Sequence, residues 1–474
     1  MPDGTSGRDF TSACDRDVRG VHRDGLPPTS SLPTLVAGLK DESTTSAALG
    51  LPELIAIGVG GMIGGGIFSI LGMAAKIAGH AAFLAFVLGC LVATAAGYSY
   101  VRLALTFRDD GASYTYLEHA FPKHPNVAGI AGWTVIVGYV GTLALYAFTF
   151  GAYAAHFLGE ADQGLVRPVL SAGILLFFMV VNLLGVRATG RTEDLVVYTK
   201  IVLLGLFCAA GLTSVSVTRL TPLFDRGWTS PFVAGALVFV AFEGFQLITN
   251  AVTEIRDPDR NVPRGIYGSI WITSAIYVGV ALVALGSMDV DRLVAAEEYA
   301  LAVAAEPALG HAGSVLVDVA AMLATSSAIG ATLLGASRML AEMATERRVP
   351  RAFSHRSRQQ VPWVAVVAMT ALGLAFSALG TLEVIATFSS LTFLLVSIAV
   401  SVANLRLRAR TGSRPSIVVA GLLLMSSTVV LLLRHLGAEQ PRVLVTVVSL
   451  FVAIAVVEWR FFERTHRTST DAAP

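Results

Sequence analysis

Two stretches, Gly58-Val-Gly-Gly-Met-Ile-Gly-Gly-Gly-Ile-Phe68 and Val240-Ala-Phe-Glu-Gly-Phe245, decide how this chain is read. Each lies within a long apolar run, the first and the sixth, where an uninterrupted helix would be the safe choice. In hydrocarbon every backbone N–H and C=O must find a partner, so irregular backbone at membrane depth survives only where it is buried in protein or lines a cavity. Broken segments at corresponding positions of two halves point to a ligand site at the bilayer midplane, the arrangement secondary transporters use.

The chain has 474 residues, of which 54% are hydrophobic and 14% charged, against roughly a quarter charged in soluble domains. An all-α polytopic membrane protein is the expected class. Apolar runs long enough to span, roughly 20 residues each, fall at about 51–78, 81–105, 127–158, 166–186, 192–214, 231–252, 265–287, 313–341, 361–380, 383–404, 415–434 and 441–462, giving twelve spans. With both termini inside, the tails and even-to-odd loops hold 26 Lys and Arg, the opposite loops 6. The positive-inside rule then puts both termini in the cytoplasm of a cell whose inner (plasma) membrane the chain crosses.

An odd number of crossings inverts a unit relative to the one before it. Spans 1 to 5 (residues 49–214) and 6 to 10 (231–404) therefore overlay as two inverted repeats, and the breaks fall in register. Spans 11 and 12 (415–462) hold almost nothing polar and are expected at the periphery. Residues 1–48 mix Arg, Asp, Ser, Thr, Gly and Pro without apolar periodicity and read as a disordered cytoplasmic tail; 463–474 read as a second tail. After span 2, Arg108 to Pro122 is amphipathic beyond Gly111 and suits a short interfacial helix. After span 6, Thr253 to Arg264 carries two prolines and dense mixed charge and reads as a compact loop. Cys14, Cys90 and Cys208 have no metal or disulfide spacing.

Isolated membrane glycines usually serve close helix packing. Three together, Gly64, Gly65 and Gly66, favour an unwound segment instead, since each weakens the helix and strips the backbone of its side-chain shield. The freed N–H groups of a half-helix starting near Ile67 would suit a carboxylate, and the carbonyls before them an ammonium group. An α-amino acid carries both. Glu243 is a mid-span carboxylate, costly in lipid. It can counter a cationic substrate, carry a proton, or bond a neighbouring helix in protonated form; Gln246, one turn on, has a weaker claim. Only four of the 34 Lys and Arg are lysines, and Lys200 stands about two turns into span 5. An ammonium can lose its proton when desolvated whereas a guanidinium effectively cannot, so Lys200 is either a proton carrier or a lysine snorkelling to the nearby surface. Span 8 holds the hydroxyl cluster Thr325-Ser-Ser-Ala-Ile-Gly-Ala-Thr332, which by itself reads as helix-internal bonding. No metal cluster, nucleotide loop or Ser-His-Asp arrangement is present in the sequence, so neither enzyme, cofactor, metal nor nucleic-acid partner is expected. His80, His119, His156 and His311 lie near span ends and read as interfacial.

Several segments together resemble the amino acid–polyamine–organocation superfamily, and within it the proton-coupled amino acid transporters. They are Met62-Ile-Gly-Gly-Gly-Ile-Phe-Ser-Ile-Leu-Gly72 with Ala75-Lys-Ile-Ala-Gly79, the surroundings of Lys200, Ile248-Thr-Asn250 with Asn261-Val-Pro-Arg264, Ala300-Leu-Ala-Val-Ala-Ala305, and Ser326-Ser-Ala328. The resemblance covers nearly the whole chain from about residue 51. It implies a LeuT-type five-plus-five inverted repeat with helices 1 and 6 broken. It implies that Met62, Ile63, Gly64, Gly65 and Gly66 face Phe239, Val240, Ala241, Phe242 and Glu243 across the substrate. Lys200 matches the lysine that replaces the sodium ion of sodium-coupled relatives, between span 1 and the hydroxyls of Ser326 and Ser327. At Glu243 the proton-coupled members carry an apolar residue, and some carriers of cationic substrates an acid. Span 3 has no acid of the kind such carriers place there, which leans the reading to neutral amino acids. The resulting expectation is a proton-coupled amino acid permease in the lipid bilayer, working by alternating access. The alternatives are a polyamine or cationic amino acid transporter or exchanger and, from another class, an amino-acid-binding membrane sensor.

Overall fold

The structure, a computed structural model, describes residues 49–109, 112–123, 125–159, 164–185 and 190–470. The tail expected over 1–48 lies outside the described residues, as do 471–474. The chain forms α1 (Leu51–Met62), α2 (Gly65–Ala78), α3 (Ala82–Phe107), α4 (Ala112–Ala120), α5 (Pro125–Phe157), α6 (Val166–Leu183), α7 (Gly190–Gly211) and α8 (Ser230–Val238). After α8 come two 3-10 segments, Phe239–Phe242 and Phe245–Glu254. The rest is α9 (Pro258–Ser287), α10 (Val290–Ala296), α11 (Ala300–Leu309), α12 (His311–Thr345), α13 (Trp363–Leu379), α14 (Leu382–Arg406), α15 (Arg408–Thr411), α16 (Pro415–Glu439) and α17 (Pro441–Thr470). Among the described residues, eight helical stretches are long and apolar enough to cross a membrane, and four more apolar helices are shorter: Leu51–Met62, Leu195–Gly211, Trp363–Leu379 and Pro441–Val456. Together they cover every apolar run of the sequence.

Both expected breaks are present. The first run leaves the helix at Ile63 and Gly64 and resumes at Gly65. The second half-helix therefore begins two residues earlier than the sequence suggests, and Gly65 and Gly66 belong to it. Two abnormal residues suffice to redirect the chain, so the other two glycines are free to serve contact. A Cβ on Gly66 would lie 2.5 Å from that of Ala241. In the sixth run the chain becomes extended at Glu243 and turns at Gly244, whose φ is 132°. A Cβ on Gly244 would lie 2.4 Å from the carbonyl carbon of Gly61. The two broken helices thus touch backbone to backbone on both sides of the break, which only residues with little or no side chain allow.

Two expected connections differ from the reading. The segment Thr253 to Arg264, read as a compact loop, is helical over most of its length. Helix α9 starts at Pro258, where the fixed φ of proline suits the first helical position, and Pro263 is absorbed one turn later. What remains is a short turn at Ile255, Arg256 and Asp257, tied down by Leu49: its N–H donates to Glu254 O and its carbonyl accepts from Arg256, both at 2.9 Å. The entry to α1 and the exit of the sixth run are therefore stitched together. The last helix continues to Thr470, through most of the segment read as a tail. The amphipathic segment after α3 forms α4 as expected.

Helix α5 runs through the centre, packed on α6, α12, α13 and α14, while α1 packs on α9 and α2 on α8. Only 17% of the apolar stretch of α6 and 33% of that of α16 is buried, against 83% for α5, which puts α6 and α16 at the rim.

Gly244→Ala is expected to lower the thermal unfolding midpoint of the detergent-solubilised protein, because a strained backbone and a forced separation at Gly61 cost ~2 kcal/mol or more. Gly173→Ala in α6, where nothing lies within 4 Å, is expected to leave the midpoint unchanged; equal midpoints for the two variants would refute the close-contact reading.

Candidate functional site

A helix leaves its last four carbonyls without partners, and at membrane depth water cannot supply them. At the end of α1 all four are taken by side chains. Lys200 Nζ donates to Gly60 O at 2.8 Å and to Ile63 O at 2.7 Å. The Tyr146 hydroxyl reaches Gly61 O at 3.4 Å. The Tyr277 hydroxyl donates to Met62 O at 2.6 Å and lies 3.0 Å from Ala241 O. Tyr277 thereby bridges the two breaks, held edge-on between Phe86 and Phe242. Lys200 is 0% exposed: it does not snorkel, and the carbonyl end of α1 is its counter-charge.

Beside this join lies a cavity of about 110 Å³. Gly60 and Gly61 of α1, Tyr139 and Tyr146 of α5, Glu243 and Gly244, Ser327 of α12 and Phe393 of α14 form its wall. Glu243 is 4% exposed. One of its oxygens accepts a short hydrogen bond from the Gln246 amide, and the other, Oε1, has no partner. Among the described residues no Lys, Arg or His pairs with Glu243. The site is therefore an apolar and aromatic pocket with one unsatisfied carboxyl oxygen and a run of backbone poles.

Of the residues singled out in the sequence, Gly60, Gly61, Glu243, Gln246, Ser327 and Thr332 line this cavity. Met62, Ile63, Gly64, Gly65, Gly66, Phe239, Val240, Ala241 and Phe242 are buried beside it. A Cβ on Gly64 would lie 2.7 Å from the Tyr146 ring, which covers the start of α2. No side chain caps that helix. Ser326 and Ser327 are half-buried, but the hydrogen bonds of Lys200 go to main-chain carbonyls and not to either serine. Sequence reasoning missed Tyr277 and the α5 tyrosines. A signal existed: Tyr139, Tyr146 and Tyr153 recur every seventh residue, hence on one helix face.

On the far side of the breaks the molecule is sealed. The Tyr153 hydroxyl donates to Phe68 O at 2.7 Å. His156, read as interfacial, instead pairs with buried Asp318 at 3.0 Å and stacks on Tyr299. Next to Tyr299, Glu297 lies 4.0 Å from Lys76 of α2, and Glu298 lies 4.0 Å from Arg167 of α6. Burial pushes the Glu298 carboxyl up, against the downward pull of the Arg167 guanidinium. Adjacent carboxylates thus reach two different helices, α2 and α6, and the alanines of α11 that follow them are buried.

Residues 49–470 match a family model described as amino acid permease. The chain is 31% identical over 425 residues to the protein MJ0609 of Methanocaldococcus jannaschii, covering 89% of this chain and 96% of the relative. It is 31% identical over 414 residues to the inner membrane transport protein YbaT of Escherichia coli K12, covering 86% and 95%. It is 25% identical over 402 residues to the branched-chain amino acid permease BcaP of Bacillus subtilis, covering 81% and 86%.

Tyr277→Phe keeps the ring packing but removes the hydroxyl from Ala241 O and leaves Met62 O with only the Gly64 N–H at 2.8 Å, a loss of about 1–3 kcal/mol. The unfolding midpoint is expected to fall, and amide exchange to rise at residues 61–66 and 239–245 together. Exchange rising in one segment alone would contradict a bridge.

Proposed function

Because the chain belongs to the amino acid permease family, whose members are transporters and not enzymes, we propose that it is a proton-coupled amino acid permease working by alternating access. In this reading twelve crossings form two inverted five-helix units followed by two peripheral helices, with both termini in the cytoplasm. The excess of Lys and Arg in the alternate loops supports that orientation. The cavity then opens toward the cytoplasm, since its wall is built from α1, Glu243 to Leu247 and the second half of α12. The seal of Glu297, Glu298, His156 and Asp318 faces outward.

The observation that carries the reading is the Lys200 ammonium on the carbonyl end of α1. Charge-assisted hydrogen bonds contribute about 1.5–3 kcal/mol, so losing the proton weakens the hold of α7 on the broken helix. Arginine in its place would not release a proton. The half-helix α1 is then free to swing, and with it the stitched exit of the sixth run. The substrate carboxylate meets the uncapped N–H groups at Gly65, Gly66 and Ile67 once the Tyr146 ring withdraws. Its ammonium meets the carbonyls of Val240 and Ala241 and the carboxyl of Glu243. Ser326 and Ser327 are the hydroxyls nearest in the chain's pattern to serve Lys200 when α1 has moved. The apolar wall suits a neutral side chain, as does the similarity to a permease named for branched-chain amino acids. The unpartnered Glu243 Oε1 favours a second reading, in which the substrate is a cationic amino acid or polyamine, carried singly or in exchange.

Uptake into proteoliposomes is expected to need an inward proton gradient and no sodium, and Lys200→Gln to cut it about tenfold or more and leave the residue indifferent to pH. Sodium-dependent uptake that ignores the proton gradient would sink the coupling. Glu243→Gln is expected to shift either the pH profile or the preference between neutral and cationic substrates, scored in the same assay; if both stay put, the carboxyl is structural. A thermal-shift screen against amino acids and polyamines identifies the ligand, because a ligand stabilises the state it binds.

A further inference from the structure

Away from the central cavity, helices α3, α9 and α16 enclose an open groove of about 520 Å³ on the lipid-facing side. Its deep end is apolar, with Leu91, Ala420 and Leu424. Its shallow end holds Tyr98, nine residues before α3 ends, and Tyr267, beside the first turn of α16. Arg102 stands at its rim against Tyr98, five residues before α3 ends at Phe107, which is about 7.5 Å at the helical rise. On this face of the molecule Arg102 is half-buried. Its guanidinium folds back over the Tyr98 ring, 5.6 Å from the centroid. Among the described residues no carboxylate lies within ion-pair distance of it.

We propose that this groove binds an anionic glycerophospholipid, with its phosphate on Arg102 between Tyr98 and Tyr267 and one acyl chain along α3 and α16. The chemistry of each end fits. A guanidinium at the membrane interface without a carboxylate partner takes a phosphate, and the two tyrosines supply hydroxyl donors at headgroup depth. The Tyr98 hydroxyl accepts from the Arg414 N–H at 2.9 Å and keeps its own proton to donate. One turn deeper, the Thr94 hydroxyl is buried without a partner, at the level where the ester carbonyl of such a lipid follows its phosphate. Beyond it only apolar side chains line the groove. A zwitterionic headgroup brings its own ammonium to the phosphate and gains less from Arg102.

The test uses the full-length protein in mixed micelles of phosphatidylglycerol and phosphatidylcholine, with bound lipid counted by native mass spectrometry. Wild type is expected to retain phosphatidylglycerol over phosphatidylcholine by about fivefold, the effect of one basic residue near a charged headgroup. Arg102→Gln should erase the preference, and Ala420→Trp, which fills the deep end from an exposed position, should lower retention of both lipids. Melting in phosphatidylcholine alone checks that each variant folds, and Ile417→Trp replaces Ala420→Trp where that one does not. Equal retention of the two lipids by wild type would mean that Arg102 only snorkels and would overturn the proposal. So would a preference that survives Arg102→Gln, or displacement of phosphatidylglycerol by inorganic phosphate, which would make this a free-phosphate site.

Discussion

The carbonyl end of a half-helix, stranded where there is no water, is the constraint on which the rest of this structure depends. Breaking α1 at Ile63 exposes four acceptors, and leaving even one unsatisfied in a buried site costs about 1–3 kcal/mol. The protein answers with side chains from three other helices: Lys200 from α7, Tyr146 from α5 and Tyr277 from α9. Those three side chains fix where α5, α7 and α9 stand relative to the break. They also make the break an expensive thing to hold by any means other than this one arrangement, so moving α1 requires all three helices to let go.

The same constraint explains why two broken helices occur side by side. Tyr277 has one proton and faces two carbonyls, Met62 O and Ala241 O, so it serves both breaks only while they stay in contact. Contact at that range is possible because Gly66 lies against Ala241 and Gly244 against Gly61. On one side of the join the stitched segments at Leu49 and Ile255 keep the free ends together; on the other, Glu297 and Glu298 reach Lys76 of α2 and Arg167 of α6. The cavity sits on the first side and the seal on the second, so the two faces of the join are unlike.

Much of this was legible in the residues. A run of glycines marked the first break and a mid-span acid beside a glycine the second, and the scarcity of lysine marked Lys200 as chosen for its chemistry. The starting point of α2 was misjudged because three glycines in sequence do not say which of them unwinds; contact with Ala241 decides that. The turn after the sixth run was misjudged because proline reads as a breaker, whereas at the first position of a helix it is an initiator. His156 was misread for a different reason: its partner Asp318 is distant in sequence, and a histidine near a span end gives no hint of a buried acid on another helix.

The sequence by itself determined that the chain lives in a membrane, how many apolar runs it has, where two of them break and which amine is out of place. These are properties of single segments, fixed by composition, hydropathy and local backbone cost. Only the tertiary structure decided what each exposed pole is paired with. Hydrogen-bond partners across the site come from helices that are neighbours in space and remote in the chain, as Lys200 is from Gly60 and Tyr277 from Met62, and no local pattern encodes that distance.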